Sequence, residues 1–334
     1  MPKNILRMPL KAKFFYMLKV IQYFWEYLRD FRLTLGYSYH SPFEEENRRL
    51  YYRIIILAHA IEKGLSLKDP RDLFGIKKLR DMMGLLDRYD VGFSPFPVEM
   101  AKGAIESYVK LHRSKTPDAP FLEELEAYLA NSETLSQCEG NGGARNIEPG
   151  HFPSEASRQV GQVFIQSRFS CRNYAPVKVS KETIRKVLEI AQSAPSQCNR
   201  QSVRVHCFQS PDQISSLLSL QGGTSGFTES IHNLFVVTSE LTAWGGYGQR
   251  SQSYVDGGLF SQNLMLALHV HGLASCPLNL AITNAKEANI KRISGIHQRE
   301  RLIMMIAFGE PGEENLLAAR SARIPLESVL LFHP

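Results

Sequence analysis

The chain has 334 residues, of which 43% are hydrophobic and 22% are charged, and its formal net charge at pH 7 is +6. This composition is typical of a soluble globular protein and excludes collagen-like, low-complexity and intrinsically disordered chains. The five cysteines are odd in number and show no Cys-x-x-Cys or Cys/His spacing. That pattern argues against a disulfide framework and a zinc site, and it leads us to expect a cytoplasmic protein.

The positive charge is concentrated at the start of the chain. Residues 1–40 contain seven lysines and arginines against Glu26 and Asp30, so this segment carries +5 of the net +6. The rest of the chain is almost neutral, so we do not expect nucleic acid as a partner.

A helix is predicted over residues 14–35, because apolar residues recur there at spacings of four and three: Phe14, Leu18, Ile21, Trp25 and Leu28. Lys19 and Glu26 interrupt the apolar run, which is too short to span a membrane. Two interpretations remain open. The helix packs on the rest of the protein or on a second subunit, or residues 1–35 make a peripheral contact with the inner face of a membrane.

The next segments predict a helical domain, so that residues 1–130 comprise the basic, aromatic helix and several further helices. Predicted helices cover 48–67, 73–89, 97–111 and 120–130. Residues 131–157 are polar, rich in glycine and nearly devoid of large apolar side chains, which predicts a linker.

Residues 158–334 alternate between element types. Ser180 is a predicted helix N-cap, and a long helix over 254–271 is apolar around most of its circumference, which predicts burial in a core or a subunit interface. Four short apolar segments are predicted strands: 203–209, 234–238, 274–280 and 302–308. This mixture predicts a layered domain of helices and strands.

Two short segments contain residues of the types that bind ligands. In Arg168-Phe169-Ser170-Cys171-Arg172, which we call the basic segment, the alternate side chains of an extended chain would lie on one side. Two guanidiniums and a hydroxyl in that arrangement suit a phosphate, although this pattern is also common on solvated edges. Residues 194–201 (APSQCNRQ), which we call the polar turn, offer amides and hydroxyls to a flat heteroaromatic ring.

These segments and two later ones resemble the nitroreductase family of FMN-dependent oxidoreductases. That family shows an R-x-S-x-[RK] start, an APSxxNxQ turn, a DxGxxxQNLxLAxxxxGL helix and a basic tail of the form R-[LI]-P. Here the helix motif runs from Asp256 to Leu273 and the tail motif is Arg323-Ile324-Pro325. The resemblance covers about half of the chain and does not extend to residues 1–157.

The resemblance implies an α+β fold with a mixed sheet flanked by helices, a long central dimer helix and FMN at the interface of a homodimer. It also implies that the basic segment and the tail hold the phosphate and ribityl chain, while the polar turn and residues 276–279 border the ring. The implied cofactor-binding residues are Arg168, Phe169, Ser170, Arg172, Pro195, Ser196, Asn199, Gln201, Cys276, Pro277, Leu278, Asn279, Arg320 and Arg323. No catalytic side chain and no metal ligand is predicted, because a flavin carries its own hydride chemistry.

A separate polar cluster lies in the N-terminal helical region. His59, Glu62 and Lys63 are spaced so that they share one face of a helix. They could belong to a cover over the flavin pocket, or they could form a helix end whose histidine is satisfied locally.

The sequence therefore predicts an FMN-dependent oxidoreductase that takes hydride from NAD(P)H and reduces a small organic acceptor, nitroaromatic or quinone-like in vitro. One alternative is another flavin reaction on the same fold, such as reductive dehalogenation. A second is a flavin-binding or flavin-free interaction protein, in which departures such as Ser202-Val203 in place of the family's usual Pro-Trp mark lost turnover.

Overall fold

The structure is a computed structural model, and it describes residues 9–147, 153–312, 316–319 and 321–333. The first part of the chain is helical: α1 Leu10–Tyr37, α2 Glu46–Leu65, α3 Ile76–Leu86, α4 Phe96–Lys115, α5 Pro120–Asn131 and α6 Glu133–Ser136. The second part mixes both types, with helices α7 Glu155–Ser167, α8 Lys181–Ala191, α9 Pro211–Gln221, α10 Gln252–Val270 and α11 Asn284–Ser294. Its strands are β1 Val203–Phe208, β2 Leu234–Glu240, β3 Ala274–Asn279 and β4 Glu300–Gly309.

The four strands form one sheet in the order β1-β2-β4-β3, and every neighbouring pair is antiparallel. Within the part of the chain that the structure describes, parallel pairing is limited to a single bridge between Ser170 and Ser275. The predicted α+β class and the four predicted strands are confirmed. β1 and β3 are the two edges of this sheet, and this placement positions the candidate site.

Helices cover both faces of the sheet. Leu234 and Val236 of β2 pack into the core that contains Leu217 of α9 and Ile290 of α11. The alternate residues Phe235 and Val237 pack into a second core. Helices α8 and α10 contribute to it Ile184, Val187, Ala191, Leu264, Met265, Ala267 and Leu268. Burial on both faces explains why the first four residues of β2, Leu234 to Val237, are apolar without alternation.

Helix α10 is buried on one side only. Leu264 and Leu268 are fully buried in the core of their own chain, whereas Val255 and Leu259 on the other side are about half exposed. The sheet of its own chain therefore covers Leu264, and the side of α10 that carries Val255 and Leu259 is the side left exposed. Gly257 lets α10 approach β4 closely, since an added Cβ would lie 2.7 Å from Ile303.

The helical region, residues 46–136, has a core of its own built from α2 to α6. Part of the predicted linker packs against this region, because the backbone of Gly142 lies so close to α4 that a Cβ on Gly103 would meet it at 2.2 Å. The N–H of Asn141 donates to the carbonyl of Glu99, and Ser154 caps α7 inside the predicted linker.

Helix α1 is longer than predicted at both ends, and it has no buried residue. Among the described residues, no helix combines the length and the apolar character needed to cross a membrane.

Candidate functional site

The basic segment lies beside β3, which is an edge strand. The N–H of Cys171 donates to the carbonyl of Ser275 at 3.0 Å, and Ser170 bridges the same residue. Pairing stops after this bridge, so the segment is extended without becoming a fifth strand.

The alternate side chains of the basic segment share one neighbour, the thiol of Cys276. Burial raises the pKa of this thiol, while the guanidiniums of Arg172 and Arg168 and a hydrogen bond with Ser170 act in the opposite direction. Nη1 of Arg168 is buried and has no hydrogen-bond partner among the described residues. A buried guanidinium N–H without an acceptor is the kind of group that a bound anion satisfies.

The polar turn is held in a backbone conformation that L-residues rarely adopt. Cys198 and Asn199 both have φ of 51°, and Gln201 has φ of 49°. Left-handed conformations cost non-glycine residues roughly 1–2 kcal/mol each, so surrounding contacts must hold the turn in place. One such contact is local, because the N–H of Gln201 donates to Oγ of Ser196 at 3.1 Å.

A second contact comes from Asp256, a residue to which the sequence analysis gave no role. Its buried carboxylate accepts from the N–H of Gln197 at 2.9 Å and from Nε2 of Gln252 at 2.8 Å. The first acidic residue of the helix motif therefore fixes the polar turn from α10. Asp256 is part of the helix motif, but its partner Gln197 lies 59 positions away, and only the structure shows that the two residues meet.

A cavity of about 590 Å³ opens beside the polar turn. Pro195, Ser196 and Gln201 line it, as do Asp256 and residues of α8 and β1. Four further lining residues were not predicted: Tyr51, Phe96, Arg204 and Phe260.

Tyr51 and Phe96 belong to α2 and α4, so the helical region forms part of the cavity wall. Asn199, which the family resemblance places next to the ring, turns its side chain toward Gln201 and toward Met100 of α4. Long-range contacts of this kind leave no periodic signal in the sequence.

A buried carboxylate joins the helical region to the sheet. Glu240, at the end of β2, accepts from Nη1 of Arg48 at 2.7 Å and from the hydroxyl of Tyr52 at 2.9 Å, both on α2. It also accepts from Nη2 of Arg204 on β1 at 3.2 Å. Burial, together with the charge of Glu240, raises the pKa of Tyr52 well above its ordinary value, so Tyr52 stays a neutral donor.

Arg200, the residue that follows Asn199, connects the polar turn to other parts of the fold. Arg200 is buried, donates to the carbonyl of Ala243 at 2.8 Å, and lies over the rings of Trp244 and Tyr39. Tyr39 comes directly after α1, so the polar turn also contacts the end of that helix.

His59 and Glu62, which belong to the cluster considered as a pocket cover, have hydrogen-bond partners within the helical region and in the segment that follows it. Nδ1 of His59 lies 3.2 Å from Oε2 of Glu62, and Oε1 of Glu62 accepts from the N–H of Gly143. Lys63 is exposed. None of the three lines the cavity among the described residues.

The remaining predicted residues lie away from the cavity. Cys276 and Leu278 face the core of the sheet, Pro277 is half-buried, and Asn279 is exposed at the end of β3. Arg323 is exposed in the tail, and Arg320 lies outside the described residues.

The two predicted halves of the site lie at opposite edges of the sheet. The basic segment lies beside β3, the polar turn leads into β1, and β2 and β4 separate them. Strands lie about 4.8 Å apart, so three spacings place the edge strands roughly 14 Å from each other. Within one chain, the basic segment and the polar turn do not converge on one cavity.

Comparison with known proteins identifies the second part of the chain. The model of the "Nitroreductase family" matches residues 165–224 and 225–310. The Bacillus subtilis (strain 168) protein named "Putative NAD(P)H nitroreductase YdgI" is 25% identical in an alignment of 202 residues, and the match covers 49% of this chain and 93% of that protein. Nitroreductase NfnB of Mycolicibacterium smegmatis is 25% identical in an alignment of 218 residues, and the match covers 52% of this chain and 91% of NfnB.

Among solved structures, the FMN-dependent nitroreductase from Clostridium difficile R20291 is 19% identical and gives a TM-score of 0.43, covering 51% of this chain and 98% of that one. The family match falls on the part that contains the sheet, the basic segment and the polar turn. Residues 165–310 therefore match the nitroreductase family, and they follow a helical region that the family model does not match.

Proposed function

We propose that the protein is an FMN-dependent oxidoreductase that takes hydride from NAD(P)H and passes electrons to a small organic acceptor. The observation that carries this proposal is the buried, unpartnered Nη1 of Arg168 in the basic segment of a nitroreductase-family domain. A phosphate would satisfy that donor, and the neighbouring Ser170 and Arg172 supply further donors of the right kind.

The residues of the basic segment fit the phosphate of FMN. Two guanidiniums balance the phosphate charge, and forked N–H groups match its oxygens. Arg323 is exposed in the tail and carries a charge that can join them. These residues bind and orient the cofactor and take no part in the chemistry.

The polar turn and the cavity fit the ring side of the cofactor. When bound, FMN supplies hydride acceptance and donation at N5. The chain itself contributes the rigid backbone of the turn, the carboxylate of Asp256 that holds it, and apolar walls from Phe260 and Phe96 that exclude water from the cavity. Exclusion of water strengthens every polar contact that the bound ring makes.

A homodimer would complete the site. Since one chain keeps the basic segment and the polar turn at opposite edges of the sheet, a second copy can bring the basic segment of one protomer to the polar turn of the other. The exposed apolar side chains Val255 and Leu259 of α10 offer a surface for that contact.

The helical region would act as a cover on the acceptor side of the cavity. Tyr51 and Phe96 line the cavity, and the contacts of Glu240 with Arg48 and Tyr52 hold α2 against the sheet. His59, Glu62 and Lys63 would then stabilise the cover from within. Residues 1–35 would lie on the outside of the assembly, where a peripheral membrane contact at the inner face remains compatible with a cytoplasmic enzyme.

Anaerobic titration of the purified protein with NADH and with NADPH tests the proposal. We expect a yellow protein whose flavin absorbance is bleached by one of the two nucleotides and is restored by a quinone or a nitroaromatic compound. A protein that takes up no FMN, or whose bound flavin neither nucleotide reduces, would contradict it.

A further inference from the structure

Helix α1 presents a continuous apolar stripe to solvent. Successive residues turn by about 100° along an α-helix, so spacings of four and three keep side chains on one face. The stripe consists of Leu10, Phe14, Met17, Ile21, Phe24, Leu28, Phe31 and Leu35. It runs for roughly 38 Å at 1.5 Å per residue. Seven of its eight side chains are exposed, Phe14 by 57% and Phe24 by 59%.

The attachment of α1 to the rest of the protein uses the opposite face. Oε2 of Glu26 accepts from the N–H of Asn284 at 2.8 Å, and Asp30 pairs with the buried Arg301 at 2.7 Å. Tyr37 packs edge-on against His297. These three α1 residues are spaced by four and seven, about half a turn around the helix from the stripe. The stripe therefore points away from the protein because the ion pair and the hydrogen bonds fix the other side.

The charge of this end of the chain is of one sign. The first 25 residues contain Lys3, Arg7, Lys11, Lys13 and Lys19 and no aspartate or glutamate. Arg29 lies on the same flank of the stripe as Lys11, and the flanks also carry Trp25 and Tyr27. Aromatic side chains and long basic side chains beside an apolar stripe are the composition of helices that lie in a lipid headgroup region.

We propose that α1 binds flat on an anionic lipid surface, with the stripe in the acyl boundary and the basic residues at the headgroups. A second copy of α1 is a poorer occupant, because two helices with these cations repel each other. The rest of the chain, at +1, has almost no net charge to attract them. An anionic surface supplies both the apolar phase and the opposite charge. The inference gives a lipid chemistry to the membrane contact included in the proposed function, and it does not depend on flavin chemistry.

Flotation of the full-length protein with vesicles tests this. The vesicles are phosphatidylcholine alone, or phosphatidylcholine with about one quarter phosphatidylglycerol, each at low and high salt. We expect binding to the anionic vesicles that weakens as salt screens the charges. A basic residue near such a surface contributes about fivefold to partitioning, so Lys11→Gln with Arg29→Gln should weaken binding about twentyfold. The matched control, Lys77→Gln with Lys78→Gln on exposed positions of α3, should bind as the wild type does.

A second variant tests the stripe itself. Ile21→Glu with Phe24→Glu should abolish binding, whereas Leu67→Glu at another exposed apolar position should not. Equal binding to neutral and anionic vesicles would overturn the proposal. A wild type that binds neither vesicle would also overturn it. If the stripe variant then changes from dimer to monomer in sedimentation, the stripe is a subunit contact instead. Flavin reduction by NAD(P)H is assayed without vesicles, so that a failure of the enzymatic proposal is seen separately.

Discussion

The two edges of the sheet carry the two halves of the candidate site, and they are built differently. At the β3 edge, the basic segment is joined to the sheet by one bridge at Ser275, and a donor of Arg168 is left without a partner. At the β1 edge, the polar turn is tied to Asp256 of α10 and packed under α2 and α4.

This difference between the two edges predicts how mutations at each edge would affect the protein. The basic segment depends on its ligand to satisfy buried charge, so its mutations should affect affinity and leave the fold intact. The backbone of the polar turn is fixed by hydrogen bonds within the protein, so mutations there should affect stability and selectivity first. Preorganised polar groups of this kind lower the entropic cost of binding.

The largest effect is expected at Glu240, near the β1 edge. Glu240→Ala would leave the guanidiniums of Arg48 and Arg204 and the buried hydroxyl of Tyr52 without their common acceptor. Breaking such a buried cluster should lower the free energy of unfolding by about 3 kcal/mol. Urea denaturation followed by circular dichroism measures this loss.

A matched control for Glu240 is Glu124, which forms an exposed ion pair with Arg80. Glu124→Ala should change the urea midpoint far less, because exposed ion pairs contribute little. If the urea midpoint fell equally in the two variants, the buried cluster around Glu240 would contribute no more to stability than an exposed ion pair.

The second effect is expected at the β3 edge. Arg168→Ala removes a charge-assisted hydrogen bond worth roughly 1.5–3 kcal/mol to the ligand, so the FMN affinity should fall about ten- to a hundredfold. The urea midpoint without FMN should stay unchanged. Fluorescence titration of the apoprotein with FMN measures the affinity, and Arg185→Ala on the exposed face of α8 is the control. Wild-type affinity in the Arg168 variant would exclude the phosphate role.

A smaller effect is expected at the cover. Tyr51→Ala widens the cavity on the side formed by the helical region, so kcat/KM for bulky quinones should rise several-fold while small acceptors change little. Tyr51→Phe keeps the ring and should behave as the wild type does. Steady-state assays over quinones of increasing size make the comparison, and a size-independent change would argue against a cover.

The smallest effect concerns pH and the middle of the sheet. Burial alone would raise the pKa of Glu300, but hydrogen bonds from His206 and Thr238 bring this pKa below its ordinary value. The resulting stabilisation is fully present above the ordinary pKa of a glutamate, near 4.5, and is lost as the pH falls through the folded-state pKa.

Thr238→Val removes one of these donors, which lies 2.6 Å from Glu300. The variant should therefore lose less stability than the wild type as the pH falls from about 6 to about 3. Urea midpoints across that range test it, with Glu327→Gln in the exposed tail as the control. An unchanged acid dependence would mean that the hydrogen bond does not set this pKa.

The four strands and the long helices α1, α2, α4 and α10 could be predicted from the sequence because each leaves a local pattern of apolar residues, whereas α9 and α11 were not predicted. Ser180 was recognised as a cap from its own neighbourhood, and its side chain accepts from the N–H of Thr183. The four strands were found by their apolar runs, with ends displaced by one or two residues. Helix α7 was not predicted, because Ser154 and its neighbours lie in a polar stretch that looks like a linker.

The candidate site could be predicted only in its local parts. The basic segment and the polar turn are each contiguous, so their residues were found together. Tyr51 and Arg204 were missed because they reach the cavity from α2 and β1, far apart in sequence. The burial of Leu264 could be predicted but its partner could not, since an apolar helix does not say whether a sheet or a second chain covers it.

The left-handed backbone of the polar turn has a consequence for its side chains. Glycine would adopt the conformations of Cys198, Asn199 and Gln201 without steric penalty, whereas each of these residues bears a cost. If only the shape of this turn were needed, glycine at these positions would provide it with less conformational strain. The thiol and the two amides are therefore present at a steric cost, and replacement by glycine should separate the shape of the turn from its chemistry.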